Sequence, residues 1–369
     1  MSKLRLLLVT DTVGGVWVYS LELARALVPY DVEVTLAVIG PPASPTQREQ
    51  AEGIRLIDTG LPLDWLPTTP AEMHRAGEAI AALASKEGMD LVQTCSAPLL
   101  ADTKFDQPTI AVQHSCVASW WSAVRGTPLP PEFMWRRDLV QEGLNRARAV
   151  VAPSVSFAAE TARIYDVSCP VMPVHNGRQS VVPLGLPQSN FVLTASRLWD
   201  EGKNVATLDA AARLTSTPFE AAGPLAGPNG TRAAFNNIHH VGELASARLS
   251  GVLATRPIYA SSALYEPFGL SVLEAANAGC ALVLSDIPTF RELWRDSALF
   301  VPARDPRAFA DAVDALMKDT QERERLGRAA RNRAQLYTPA RMGQRMAGIY
   351  RSLLPRAAAT PQNGMAGAA

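Results

Sequence analysis

YASSALYEPFGLSVLEAANAGCALVLSDIPTFREL, residues 259–293, joins a short extended run to a helix and then to a buried strand. Pro267 and Gly269 break the chain, and Leu270–Ala278 then carries helical periodicity. Ala281–Leu284 is a continuous apolar run, as a strand covered on both faces requires. The first amides of a helix have no intrahelical partner, and the macrodipole makes that end positive. Leu270 and Ser271 therefore open an anion site that suits a diphosphate. Glu266 stands just before this helix and Glu274 on its second turn. A carboxylate accepts two hydrogen bonds and so binds vicinal hydroxyls well. Two of them flanking one anion site suit two sugars, one on each side of a diphosphate. Taken in isolation, the same two glutamates are what the dipole favours at any helix start.

Outward from this stretch, strands and helices alternate along most of the chain. Leu4–Thr10 and Val32–Ile39 read as buried strands, with a helix over Val16–Val28 between them. Ile54–Ile57, Leu91–Thr94, Thr109–Gln113 and Ala149–Ala152 are further strands, with a helix over Ala71–Lys86. The pattern lapses into Pro, Gly and polar residues at Gly177–Gln188 and restarts at Phe191–Ala195. Strands follow at His239–Val241, Pro257–Tyr259 and Leu299–Val301, with helices over Lys203–Leu214 and Pro306–Lys318. Glu322–Leu354 reads as Arg-rich helix broken at Tyr337–Pro339. Such alternation predicts α/β architecture with parallel sheets, in two successive units. The expected limits are a first domain over 1–180, a second over 188–338, a helix over 339–355 and a disordered Ala/Gly/Pro/Thr tail over 356–369.

Length and composition agree with two domains. The chain has 369 residues, 47% of them hydrophobic, enough for two cores. Lys+Arg and Asp+Glu are both 35, so no bulk charge points to nucleic acid or an anionic membrane. Cys95, Cys116, Cys169 and Cys280 lie far apart without a C-x-x-C pair, which speaks against a disulfide framework or zinc site and for reduced cytoplasmic thiols. No apolar run approaches the roughly 20 residues a membrane-spanning helix needs. The opening MSKLRLLLVT reads as a first buried strand rather than a signal peptide.

Other motifs follow strand ends. Ser196-Arg197-Leu198-Trp199-Asp200-Glu201-Gly202-Lys203-Asn204 leaves a strand and opens a helix. Arg197 and Lys203 are cations at a helix start, a disfavoured place unless an anion sits there. They suit a diphosphate leaving group. Val13-Gly14-Gly15-Val16 joins the first strand to the first helix; paired glycines there give either tight packing or close backbone approach to a ligand. The G-x-G-x-x-G spacing of dinucleotide oxidoreductases is missing. His114 ends a strand, where open α/β sheets face their ligand crevice, although a lone His is more often structural. Residues 115–140 read as a loop-rich insertion carrying Trp120, Trp121, Trp135, Arg136 and Arg137. Those aromatics suit an acceptor sugar surface, a membrane interface or plain core.

Tyr265-Glu266-Pro267-Phe268-Gly269-Leu270 through Glu274-Ala275 resembles the E-x7-E signature of family-4 retaining glycosyltransferases. Ala278-Gly279-Cys280-Ala281-Leu282-Val283 and Glu292-Leu293 resemble that family's small-residue turn, buried strand and acidic helix start. The resemblance runs from Val9 to Tyr350, more specific in the C-terminal half. It implies a GT-B fold: two Rossmann-like domains across a cleft, the first on the acceptor side, the second binding a nucleotide sugar, and a final helix crossing back. It further implies that Glu266 contacts the donor sugar, Glu274 holds the ribose, and the backbone at Phe268, Gly269, Leu270 and Ser271 meets sugar and diphosphate. Arg197 and Lys203 would bind the diphosphate, Gly14 and Gly15 would close over it, and His114 would touch the sugar. Between Arg197 and Lys203 the chain is one residue longer than the family's usual spacing. Asn176-Gly177 resembles the family's linker turn, and Gly223-Pro224 and Gly242-Glu243 its base-contacting loops.

The expectation is thus metal-independent transfer of a hexose from a nucleoside-diphosphate sugar to a glycan, lipid-linked or small-molecule acceptor. No resident cofactor, metal or nucleic acid is expected, and no D-x-D stands where a metal-bound diphosphate would need it. Peripheral membrane contact stays open. The rivals are a nucleotide-sugar epimerase, a glycan phosphorylase or an idle nucleotide-sugar-binding protein; Glu266, Arg197 and Lys203 are all present, which weighs against the last.

Overall fold

The structure is a computed structural model and describes residues 3–66, 69–179 and 186–354. Part of the expected linker, residues 180–185, and the expected tail, 356–369, lie outside the described residues. Among the described residues, thirteen strands form two sheets. The first holds β1 (Leu4–Asp11), β2 (Val32–Ile39), β3 (Arg55–Asp58), β4 (Leu91–Thr94), β5 (Thr109–Val112), β6 (Ala149–Ala152) and β7 (Val171–Pro173), in spatial order 3-2-1-4-5-6-7. The second holds β8 (Val192–Ala195), β9 (Phe219–Ala222), β10 (His239–Gly242), β11 (Ile258–Ser261), β12 (Leu282–Ser285) and β13 (Leu299–Val301), in order 10-9-8-11-12-13. Every strand pair in both sheets is parallel. This is the GT-B arrangement, two Rossmann-like sheets covered by helices.

The apolar runs explain the layers. Leu6 and Leu8 of β1 face one side of the first sheet and Leu7 and Val9 the other, and all four are fully buried. Alternate side chains of a strand leave opposite faces, so a strand apolar throughout must be covered twice. Leu282 and Leu284 of β12 likewise enter one core of the second sheet while Val283 enters the other. The final helix, Pro339–Leu353, buries Met342, Met346, Ala347 and Tyr350 in the core of the first sheet, not the second. Tyr350 Oη donates to Gln93 Oε1 at 2.6 Å, which anchors the crossover in β4.

Three sequence expectations change. Residues 115–140 are not loop-rich: Val117–Arg125 and Pro131–Arg146 are helices. Cys116 caps the first through its sulfur, which accepts from Ser119 N. Pro128 and Pro130 fall between the two, and Pro131 takes the first helical position, where its missing N–H costs nothing. Strands β7 and β9 were not expected. Sequence β7 is three residues ending in Pro at a sheet edge, and β9 is Phe-Glu-Ala-Ala, poor in β-formers. The helix expected over Lys203–Leu214 is Val205–Ala212, preceded by a tight 3₁₀ turn at Glu201–Lys203.

Candidate functional site

Each sheet changes winding direction once, between β1 and β4 and between β8 and β11. Ligands of open α/β sheets bind outside the strand C-termini at such switch points. The segments leaving three of these strands carry the chemistry. β1 leads into Gly14-Gly15, β8 into Ser196-Arg197, and β11 into Glu266 and the helix Leu270–Ala278.

These segments meet across the domains. Gly14 has φ +90°, open to glycine and strained for other residues. A Cβ there would lie 3.3 Å from Arg197 Nη1, and one on Gly15 would lie 3.5 Å from Leu270 Cδ1. The glycine loop therefore faces both Arg197 and the start of the helix Leu270–Ala278. That helix is capped by Gly269, which has no side chain to satisfy its first amides. Lys203 Nζ donates to Glu266 Oε2 at 2.7 Å, with side chains 14% and 15% exposed. The 3₁₀ turn, followed by Asn204 in the left-handed region, brings Lys203 back to this point despite the longer spacing. Asn204 is itself held by bonds from Nδ2 to Ser262 O and Ala303 O.

Asp200 organises the cations. It accepts from Arg197 Nη2 at 2.9 Å, from Gly202 N at 2.9 Å and from Trp120 Nε1 at 3.0 Å. Burial pushes its carboxyl up, but Lys203, Arg197 and those hydrogen bonds outweigh burial and hold it below the ordinary range. Arg197 Nε is buried with no hydrogen-bond partner among the described residues. Trp120 thus spans the cleft as a donor to the second domain. Trp121 packs instead beside Phe133 and donates to Thr127 Oγ1 at 3.1 Å.

His114 follows β5, and its ring stands edge-on to Tyr19 at 4.3 Å. Its Nε2 is sealed from solvent and meets no hydrogen-bond partner among the described residues. Burial lowers its pKa to about 4, so the imidazole is neutral at pH 7. Phe268 is buried, packing against Tyr337. Ser271 is half-buried on the first turn, and Glu274, farther along, takes Arg178 Nε at 2.8 Å.

Asp11, Trp65 and His175 at the cleft went unnoticed in the sequence as site residues, while Glu292 entered it only through the family resemblance. Trp65, after β3, stacks on Trp199 of the second domain at 6.4 Å. Asp11, at the end of β1, accepts from Val13 N at 2.7 Å, and burial raises its carboxyl to about 7. Glu292 accepts from His175 Nε2 at 2.9 Å, from Val155 N at 2.9 Å and from Ser156 N at 2.6 Å, so it caps a first-domain helix from the second domain. The signal for Asp11 was its place at a strand C-terminus beside paired glycines. Trp65 and His175 carried none, because their partners lie more than a hundred residues away.

Two family models match the chain, Glycosyltransferase Family 4 over residues 13–179 and Glycosyl transferases group 1 over residues 232–333. These two matches, one in each domain, together with the fold and the cleft described above, make the chain a glycosyltransferase. Among curated proteins it is similar to D-inositol 3-phosphate glycosyltransferase of Jonesia denitrificans, 29% identical over 222 residues. That match covers 54% of this chain, and the chain spans half the length of that relative. Among solved structures it is similar to sucrose-phosphate synthase from Thermosynechococcus elongatus, with TM-score 0.77 and 18% identity over 95% of this chain and 99% of that one. It is also similar to HepE of Anabaena solved with UDP-glucose, with TM-score 0.72 and 18% identity over 95% of this chain and 100% of that one. At such identities the solved structures speak to the fold. Among the described residues no helix is long and apolar enough to cross a membrane.

Proposed function

We propose that this protein is a retaining glycosyltransferase that moves a hexose from a nucleoside-diphosphate sugar to a glycan, lipid-linked or small-molecule acceptor without a metal ion. The observation that carries the reading is the convergence at one helix start. The N-terminus of Leu270–Ala278, which has no side-chain cap, the Lys203–Glu266 pair, Arg197 and the Gly14-Gly15 backbone all face one space between the domains. The amides at Leu270 and Ser271 and the two cations suit the diphosphate, whose negative charge grows as it leaves. Glu266, on one side, suits the sugar hydroxyls, and Glu274, farther along the helix, the ribose. A neutral His114 offers the sugar a hydrogen bond without placing a second charge beside the reacting carbon. HepE, the solved neighbour that holds UDP-glucose, supports a nucleotide sugar as donor.

In this reading the bond from the anomeric carbon to the diphosphate oxygen breaks while the acceptor oxygen attacks from the same face. The acceptor proton passes to the departing phosphate oxygen, so no side chain is assigned as base. The test is direct. UDP-, GDP- and ADP-hexoses are screened for thermal stabilisation, since a ligand that binds only the native state raises the melting temperature. The stabilising donor is then incubated with candidate acceptors and the product's anomeric configuration read by NMR. Retention supports the proposal and inversion refutes it. Release of sugar phosphate on adding inorganic phosphate to a glycan would make the protein a phosphorylase.

A further inference from the structure

Arg178 follows the Asn176-Gly177 turn and stands where three segments meet. Its Nη1 donates to Glu22 Oε1 at 2.6 Å, on the first helix of the first domain. Its Nε donates to Glu274 Oε1 at 2.8 Å, on the helix of the second domain that begins the candidate site. Its own amide donates to Tyr337 O at 3.3 Å, and its carbonyl accepts from Asn277 Nδ2 at 3.2 Å. The backbone is thereby tied to the chain entering the crossover helix and to the helix that carries Glu274. The side chains of Arg178, Glu22 and Glu274 are only 17%, 11% and 16% exposed. A guanidinium presents several donors in a fixed plane, so it can hold two carboxylates at set angles; an ammonium is a point charge on a flexible stem.

Among the described residues the Glu274 carboxylate accepts hydrogen bonds on one oxygen only. Oε1 takes Arg178, and Oε2 accepts no hydrogen bond among the described residues. Burial pushes this carboxyl above its ordinary value, Glu22 adds to that, and Arg178 is the opposing influence. A carboxylate that is to accept from two ribose hydroxyls must be charged and must not rotate. Here both requirements fall on the same cation.

We propose that Arg178 is a positioning residue for the nucleotide ribose, holding Glu274 charged and oriented with Oε2 free for the ribose hydroxyls. The proposal rests on the reading of Glu274 as the ribose carboxylate. Arg178 acts through Glu274 and not on the nucleotide, so its influence is confined to ligands that carry the 2′ and 3′ hydroxyls. Loss of a purely structural ion pair would weaken all nucleotides alike.

Calorimetry on the full chain separates these outcomes. UDP, GDP and ADP are titrated into the native protein, and the tightest binder is compared with its 2′,3′-dideoxy counterpart. The same pair is then titrated into Glu274→Gln, Arg178→Met and Arg178→Lys. Loss of one charge-assisted contact predicts that Arg178→Met weakens the ribonucleotide by about tenfold or more. The dideoxy compound should keep the affinity it has for the native protein within about twofold, and Arg178→Lys should recover part of the loss. Equal weakening of both compounds, or of neither, overturns the proposal. Should Arg178→Met not fold, the same comparison on Arg178→Lys decides by the same criterion. If Glu274→Gln binds the ribonucleotide as tightly as the native protein, the ribose reading of Glu274 is itself wrong, a result distinct from failure of Arg178 alone.

Discussion

Lys203 and Glu266 neutralise each other at 2.7 Å in a mostly buried place, so neither is a spare surface charge. The pair sits just before the helix start, the side proposed for the sugar, and Glu274 is paired separately with Arg178. This separation makes the two glutamates distinguishable. Glu274→Ala is expected to weaken free nucleoside diphosphate, because ribose contacts are lost with or without the sugar. Glu266→Ala is expected to leave diphosphate binding nearly intact and lower kcat strongly, because its contacts need the sugar and tighten as positive charge develops on it. Calorimetry with the diphosphate beside steady-state rates measures both, and the reverse pattern would exchange the roles. Arg197 is held by Asp200 and packs over Trp199 at 5.6 Å. Arg197→Ala is expected to weaken diphosphate binding by about 2–5 kcal/mol, the usual cost of truncating one partner of a desolvated charge pair. Unchanged affinity would place Arg197 outside the site.

At the scale of elements, helix starts carry the site and one helix crossing joins the domains. The helix Pro339–Leu353 lies against the first helix, Gly15–Leu27, so closely that a Cβ on Gly343 would come 2.6 Å from Ala26 O. That oxygen is backbone and cannot move aside without shifting its helix. Gly343→Leu is expected to cost about 1–3 kcal/mol through overpacking, read as a lower midpoint in urea unfolding. A neutral result would mean the crossover slides freely on the first domain. The apolar stripe of this helix was legible in the sequence at Met342, Met346, Ile349, Tyr350 and Leu353. The helices around Trp120 and Trp121 were not legible, because three prolines in four residues read as loop when one of them in fact begins a helix.

At the scale of the whole molecule, the two domains are tied at several points around the cleft. Trp120 reaches Asp200, Trp65 stacks on Trp199, Ser154 Oγ donates to Pro267 O at 2.8 Å, and Glu292 caps the helix Val155–Ile164. Burial raises the Glu292 carboxyl, but hydrogen bonds from His175, Ser156 and Val155 outweigh it and hold the pKa at about 2. A carboxyl depressed in the folded state contributes stability above its unfolded value, and that stability is lost as pH falls through the folded one. The window here runs from the ordinary 4.5 down to about 2. Glu292→Gln is expected to lower stability at pH 7 by about 2 kcal/mol, partial solvent screening allowed for, and to flatten the acid loss below pH 4.5. Urea midpoints across pH 7 to 3 measure this, and parallel pH curves for variant and native protein would show that Glu292 carries none of the acid sensitivity.

The sequence by itself determined the doubly α/β architecture, the places of most strands along the chain, the helix start at Leu270 and the position of Glu266 and Glu274 around it. These rest on local physics: periodicity fixes the element, glycine and proline fix its ends, and a helix start is electropositive wherever it occurs. Only the tertiary structure decided which partner each charge meets. Lys203 on Glu266 spans 63 residues, Arg178 on Glu274 spans 96 and on Glu22 156, and Glu292 on His175 spans 117. Nothing in the local chain marks such pairs, since a charged side chain reads the same whether it ends in water or against a buried counter-ion. The membership of Phe219–Ala222 in a sheet was decided the same way, by neighbours β8 and β10 rather than by its own weak propensity. Local propensities are set within a few residues, whereas desolvated charge pairs and sheet partners exist only once distant segments pack together.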